Sequence, residues 1–411
     1  MQMAKMKKIN SIMFTTFSIR TDKERTPING MIEPLSGFFI PKLKRFILLE
    51  QPHPGSNTVI PFLEDYKNGK LNNKSRFFLS SLILYPLLKF SNLNKTQVSF
   101  KIRDFFSIFE FILKDRKKID LFIGLESINA LAGIILRKMG MVGQAVYYVS
   151  DYSPDRYKPK WFNDLYLWLD QFAATNADFV WDVSKAMLPA RIKAGLNPEK
   201  VAPVIHVPNG LYPEQISYLP TSKIIPESLV FVGTLGKING PDVAIDALKI
   251  VLKSHPRATL HIYGDGEPDI SRIKSLTEKL KLTDKVIFHG FISDQIKLSN
   301  EIKEYAIALA PYLAIPGSPR WWADATKIRL YVAAGLPVIT TEVPPLGKEL
   351  IQDGAGIITK DTPADTAKGI VNLFRDKVLF EQMRKNAIKR AKDNTWENTY
   401  SQTLNKMSID L

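Results

Sequence analysis

The sequence predicts an α/β protein built from two Rossmann-like domains. Three observations carry the prediction. Short apolar runs alternate with segments of helical periodicity along most of the chain. The alternation breaks at a polar stretch with three prolines, Leu211 to Ser228, and then restarts. Where a strand is clearest, at Val338 and Ile339, it is β-branched and follows a helix closed by Gly335 and Pro337, as in a buried parallel βαβ unit.

The bounds agree. At 411 residues the chain has room for two ordinary domains, and 45% hydrophobic with 24% charged residues is a globular composition. With no cysteine there is no disulfide and no thiolate metal site. His53, His206, His255, His261 and His289 show no ligand spacing, so no metal is expected. The net charge is +15, and residues 1–120 hold 21 Lys/Arg against 10 Asp/Glu, or +11 of that total. Such a basic half attracts nucleic acid or anionic membrane. No zinc-finger or RNA-binding signature accompanies it, which leaves an anionic membrane surface as the expected partner and nucleic acid as an excluded one.

In order, Ile9 to Phe17 reads as a first buried strand and not as a signal peptide, because polar residues interrupt the run and no small-residue cleavage site follows. Thr26 to Gly30 reads as a turn. Arg45 to Glu50 is the next strand. Phe77 to Phe90 is the longest apolar segment, but it is too short to span a bilayer and contains Pro86. With basic flanks it suits either an interfacial helix or a buried core helix. Leu121 to Gly124 and Gln144 to Val149 are strands, joined by a helix that Ser127 can cap. Asp151 follows the second of them, at the strand end that faces the ligand crevice in doubly wound sheets, and is therefore a candidate catalytic residue. Strands at Asp178 to Asp182 and Val201 to Val207 complete the first series. The second begins with Leu229 to Val232, a glycine-framed loop (Gly233, Gly236, Gly240) and a helix with Pro241 in its first turn. Such a loop can present backbone N–H groups to a pyrophosphate. Strands at Thr259 to Tyr263, Val286 to Phe288 and Ile307 to Ala310 follow.

The stretch Trp321 to Thr341 carries the most chemistry. Asp324 can cap a helix whose apolar face is Ile328, Tyr331 and Val332. The first turn holds Thr326, Lys327 and Arg329, where the helix dipole and free N–H groups favour an anion.

The motif K-I-R-L-Y-V-A-A-G-L-P-V, residues 327–338, resembles the donor-site helix of GT-B glycosyltransferases, especially the large family 4 group, which often reads P-x-K-L-x-E-Y-x-A-x-G-x-P-V. Lys327, Tyr331, Ala333, Gly335, Pro337 and Val338 match. The pattern's glutamate, which usually holds the ribose, is Leu330 here. Its partner acid eight positions earlier falls at Trp322, and the nearest acid is Asp324. In the glycine loop, relatives usually carry an arginine and a lysine where this chain has Thr234 and Asn239; Lys237 is the available substitute.

The resemblance implies two domains facing each other across a cleft: 1–210 on the acceptor side, a linker 211–228, a nucleotide-sugar domain 229–392, and a final segment 393–411 crossing back. It implies donor contacts at Gly233, Thr234, Lys237, His289, Gly290, Phe291, Thr326 and Lys327. Sugar contacts are implied at Gly317, Ser318 and Trp322, with Asp324 and Asp151 as catalytic candidates. The implied enzyme is a metal-independent hexosyltransferase, retaining, with no cofactor beyond the nucleotide-sugar co-substrate and with a glycan or lipid-linked acceptor. It would serve cell-surface polysaccharide or glycolipid synthesis from the cytoplasm, peripheral on the membrane. Two alternatives remain open, a metal-free GT-B nucleotide-sugar epimerase and a sugar-nucleotide-binding pseudoenzyme.

Overall fold

The computed structural model describes residues 6–20, 25–27, 30–76, 78–90 and 98–411; Phe77 and the extreme N-terminus fall outside the described residues. The chain divides into two compact units, Met1–Pro208 with Tyr400–Leu411, and Asn209–Thr399.

The first unit contains β1 (Lys7–Lys8), β2 (Ser11–Arg20), β3 (Arg25–Pro27), β4 (Arg45–Pro52), β5 (Phe62–Lys67), β6 (Lys70–Ser75), β7 (Ile119–Leu125), β8 (Val142–Val149), β9 (Phe179–Asp182) and β10 (Val204–His206). Its main sheet runs β10-β9-β8-β7-β2-β4-β5-β6, with β3 paired to the end of β2. From β10 to β4 every pairing is parallel, while β4, β5 and β6 form an antiparallel edge. The parallel strands are the sequence's continuous apolar runs, buried on both faces.

The sequence reading differs from this unit in three places. The β5–β6 hairpin was not anticipated. It turns at Asn68-Gly69, both at positive φ (46° and 79°), the dipeptide a two-residue hairpin turn prefers. The turn expected at Thr26 to Gly30 begins instead as a strand, β3, antiparallel to β2. The segment read as one helix from Phe77 is two, Leu79–Ile83 and Tyr85–Phe90. Glu110 on the long helix Val98–Asp115 holds the first of these: its carboxylate accepts from the N–H groups of Leu79 (2.7 Å) and Ser80 (2.8 Å).

The second unit contains β11 (Ser228–Val232), β12 (Thr259–Tyr263), β13 (Val286–Gly290), β14 (Ile307–Ala310), β15 (Val338–Thr340) and β16 (Gly356–Ile358). They form one parallel sheet in the order β13-β12-β11-β14-β15-β16. Every residue of β11, β14 and β15 is buried. Their side chains alternate between two cores: Val230, Val232, Ala308 and Val338 pack with Ile328 on one face, Leu229, Phe231, Ile307 and Ile339 on the other. A last short strand, β17 (Ile409–Asp410), pairs with β1 in the first unit. Among the described residues no helix is long and apolar enough to cross a membrane.

Strand order fixes where each unit opens. In the first, β2 and β4 extend one way and β7 through β10 the other, so the order reverses between β2 and β7. In the second it reverses between β11 and β14. Helices on either side of such a reversal leave the sheet in opposite directions, and a crevice forms beyond the carboxyl ends of the two strands.

Candidate active site

In the second unit the crevice lies past Val232 and Ala310. The chain leaves β11 through Gly233 (φ 123°), makes a 3₁₀ turn at Lys237–Asn239, and enters the helix Pro241–Val251 through Gly240 (φ 74°). Gly240 has no alternative, since a Cβ there would sit 1.8 Å from the Pro311 carbonyl oxygen. Asn239 and Thr234, which stand where relatives carry cations, are partners. The Asn239 amide donates to the Thr234 carbonyl (3.0 Å) and hydroxyl (2.5 Å), so the two polar residues brace the loop instead of gripping a ligand. Lys237 is exposed on its rim.

Across the crevice lies the helix Thr326–Ala333. Tyr331 pins it to the sheet at the reversal: its hydroxyl accepts from the Val232 N–H (2.7 Å) and donates to the Leu309 carbonyl (3.1 Å), joining the ends of β11 and β14. In the sequence Tyr331 reads as an apolar-face residue and a match to the family pattern; the role of its hydroxyl is not legible there.

Lys327, one residue into that helix, turns its side chain into the crevice. Its Nζ lies 4.4 Å from the Phe231 ring centre and 4.2 Å from that of Tyr312, and a Cβ on Gly233 would be 3.7 Å from its Cδ. The amine is buried and has no hydrogen-bond partner among the described residues. Burial pushes its pKa well below the usual lysine value, and the nearby Arg320 pushes it the same way. A buried ammonium is stable only when paired, and an anion at this point would supply that partner. Thr326 is exposed at the same helix end.

Asp324 does something other than expected. Ala325 occupies the N-cap position and no side chain caps the helix. The Asp324 carboxylate is instead held by Arg329 (Nε 2.9 Å and Nη2 2.7 Å), and it also accepts from the backbone and side-chain amides of Asn209 (2.9 and 2.8 Å). A guanidinium one turn along binds a carboxylate more strongly than helix N–H groups do. With its side chain 3% exposed, Asp324 is an anchor for the helix start. Leu330, in the place of the ribose-binding acid, is core, at 4% exposure. Ser318 is used as a cap, accepting from the Arg320 N–H (3.2 Å); Gly317 sits beside it at φ 74° in open space, and Trp322 is half-buried after the turn.

The remaining candidates lie elsewhere. His289 and Gly290 end the edge strand β13, two strands from the reversal, and the exposed Phe291 follows it. His289 stacks on Tyr263 (4.3 Å) and lies 2.9 Å from His261, whose pKa burial and His289 together push down to about 4. Asp151, in the first unit, is half-exposed and pairs with Arg156 at 3.4 Å.

Residues 226–376 match the family model of glycosyl transferases group 1. A segment of 171 residues is 27% identical to YtcC of Bacillus subtilis (strain 168), itself named only provisionally as a glycosyltransferase; the alignment spans 39% of this chain and 40% of that one. Solved structures resemble the whole chain. HepE from Anabaena, in complex with UDP, gives a TM-score of 0.67 at 16% identity, covering 97% of this chain and 99% of its own. Sucrose-phosphate synthase from Thermosynechococcus elongatus gives 0.64 at 16% identity, covering 96% and 98%. The lipopolysaccharide galactosyltransferase WaaB gives 0.61 at 14%, covering 96% and 99%. The chain therefore has the two-unit α/β fold of the GT-B glycosyltransferases. The stretch similar to the group 1 glycosyl transferase model, residues 226–376, lies within its second unit.

Proposed function

We propose that this chain is a glycosyltransferase that binds a nucleotide sugar in the second unit and passes the sugar, with retention, to a hydroxyl of a glycan or lipid-linked acceptor, using no metal. The bond from the anomeric carbon to the diphosphate breaks, a bond from the acceptor oxygen forms, and the acceptor proton leaves on the departing phosphate. The transition state is oxocarbenium-like. One observation carries the reading: the buried, unpartnered Lys327 amine beside the glycine loop at the strand-order reversal. A diphosphate at that point would pair the amine and neutralise charge leaving with the nucleotide. The relative HepE, crystallised with UDP, supports a nucleoside diphosphate as the product held there. A thermal-shift screen of nucleoside diphosphates and nucleotide sugars tests this. The reading requires at least one to raise Tm, and a flat screen refutes it.

Leu330, buried where the family pattern has an acid, supports a second reading, donor binding without turnover. A stabilising nucleotide sugar that is never consumed across an acceptor panel would select it.

The cytoplasmic face of a membrane is the proposed setting, in polysaccharide or glycolipid synthesis. The reading is supported by exposed apolar side chains on the two short helices and the long one beneath them: Leu79, Leu82, Ile83, Tyr85, Phe106 and Leu113. Lys70, Lys74, Arg76, Lys114, Arg116 and Lys117 are exposed in the same part of the chain. Apolar insertion and basic attraction together are what reversible interfacial binding needs. Co-sedimentation with phosphatidylglycerol vesicles should exceed that with phosphatidylcholine and be lost in the double variant Leu82→Ser/Ile83→Ser. Equal recovery in both supernatants refutes it.

A further inference from the structure

The first unit has its own strand-order reversal, between β2 and β7, and the residue that ends β7 there is unusual. β2 and β7 stay paired up to Thr15 and Gly124, after which β2 continues alongside β4 to Ser18 while β7 parts from it. Two residues beyond Gly124 stands Glu126, with φ 69° and ψ 162°. That backbone region belongs to glycine, because a Cβ crowds the chain there. Glu126 is also 9% exposed, and its carboxylate accepts from the Ser150 hydroxyl, 3.1 Å from Oε1.

Three features that folding would avoid are thus combined in one residue: an acid, buried, on a glycine backbone. Folding alone would be served by glycine. The position expected to cap the next helix confirms that no local duty explains the acid. Ser127 lies inside the helix Ser127–Lys138, Glu126 takes the N-cap place, and its side chain makes no capping bond.

The surroundings are polar. Arg156 and Lys101 are the cations that act on Glu126, and Asp151 the acid; Arg156 is fixed by donating to the Asp151 carbonyl (3.0 Å). Asn129, in the first turn of the same helix and 3% exposed, has a side-chain carbonyl without a donor among the described residues. Burial raises the Glu126 pKa, with Asp151 adding to it, while Arg156, Lys101 and Ser150 oppose the rise.

We propose that Glu126 is the hydroxyl-binding acid of an acceptor subsite at the carboxyl ends of β2 and β7, and that this subsite takes a sugar or polyol hydroxyl of the acceptor. The proposal rests on the glycosyl-transfer reading, and it deepens that reading by placing acceptor recognition on a named side chain. Asp151 becomes a positioning residue, holding Arg156 beside that acid.

Glu126→Gly and Glu126→Gln, made in the full chain, separate a functional acid from a structural one. A panel of p-nitrophenyl glycosides serves as the acceptor probe, read by saturation-transfer NMR, and UDP affinity by calorimetry is the control. Glycine relieves the backbone, so the Glu126→Gly protein should melt at or above the parent temperature. Both variants should bind the best glycoside at least about tenfold more weakly, as for loss of one polar contact to a charged group. UDP affinity should hold. Glycoside affinity within about twofold of the parent in either variant overturns the proposal, since a lost contact is worth about tenfold. So does a parent protein that binds none of the glycosides. A parent that binds neither UDP nor any nucleotide sugar sinks the transfer reading, and this inference with it.

Discussion

Replacing Lys327 by methionine is the most informative single change. Methionine keeps the side-chain length and the apolar contact with Phe231 and Tyr312, and removes only the amine. A hydrogen bond between charged groups contributes about 1.5–3 kcal/mol, so affinity for the cognate nucleoside diphosphate should fall by about 10- to 100-fold. The pKa shift gives a second, independent signature. In the free protein burial holds the Lys327 pKa well below its usual value. The unfolded chain therefore binds a proton that the folded chain does not, across the interval from the depressed pKa up to about 10.4. Stability rises with pH through that interval, and the penalty is fully present below it. A bound diphosphate restores the ammonium, so binding in that interval takes up a proton. Titration calorimetry in buffers of different ionisation enthalpy reads both quantities at once. The Lys327→Met protein should bind weakly, take up no proton through this group, and be at least as stable as the parent when free. Unchanged affinity together with unchanged proton uptake would refute the assignment of Lys327 to the phosphate.

Other outcomes follow from the same geometry. Tyr331→Phe leaves the buried Val232 N–H unpaired and should cost about 1–3 kcal/mol in urea denaturation; an unchanged midpoint would mean the ends of β11 and β14 need no tie. Asp324→Asn breaks a buried pair with Arg329 and should cost about 3–5 kcal/mol. Stability should fall more than nucleotide affinity does, and the reverse ranking would return Asp324 to the ligand. Gly240→Ala should prevent stable folding, because its Cβ meets the Pro311 carbonyl; a soluble variant with parent Tm would contradict the loop geometry. His261 keeps its depressed pKa of about 4 against an ordinary 6.5, so the folded state resists protonation and loses stability as pH falls between those values. In His261→Gln the melting temperature should fall less over that range, and parallel curves would exclude the group as the cause.

The second unit was legible because its signals are local. Gly240 and Pro241 punctuate a helix start, Gly335 and Pro337 a helix end, and the strands between are too apolar to be anything but buried. Lys327 could be placed on the crevice because strand, helix and dipole are all readable from nearby residues. Asp324 could not be, because its partner Asn209 is 115 residues away and local periodicity says nothing about such a pairing. Thr234 and Asn239 looked like lost cations and proved to be each other's partners, a relation that depends on the 3₁₀ turn between them. In the first unit the Asn68-Gly69 dipeptide is itself a readable hairpin signal. Glu126 gave no signal, since a glycine-type backbone at an acid is a property of the fold and not of the residue string.

On the proposed function, the crevice between β11 and β14 binds a nucleotide sugar and releases its sugar to an acceptor. Release of nucleoside diphosphate, followed with a panel of nucleotide sugars in the presence and absence of p-nitrophenyl glycosides, tests it most directly. One donor should be consumed, a glycoside should accelerate its consumption and appear as a glycosylated product by mass spectrometry, and Lys327→Met should abolish both. A donor that stabilises the protein yet is never consumed would contradict that function.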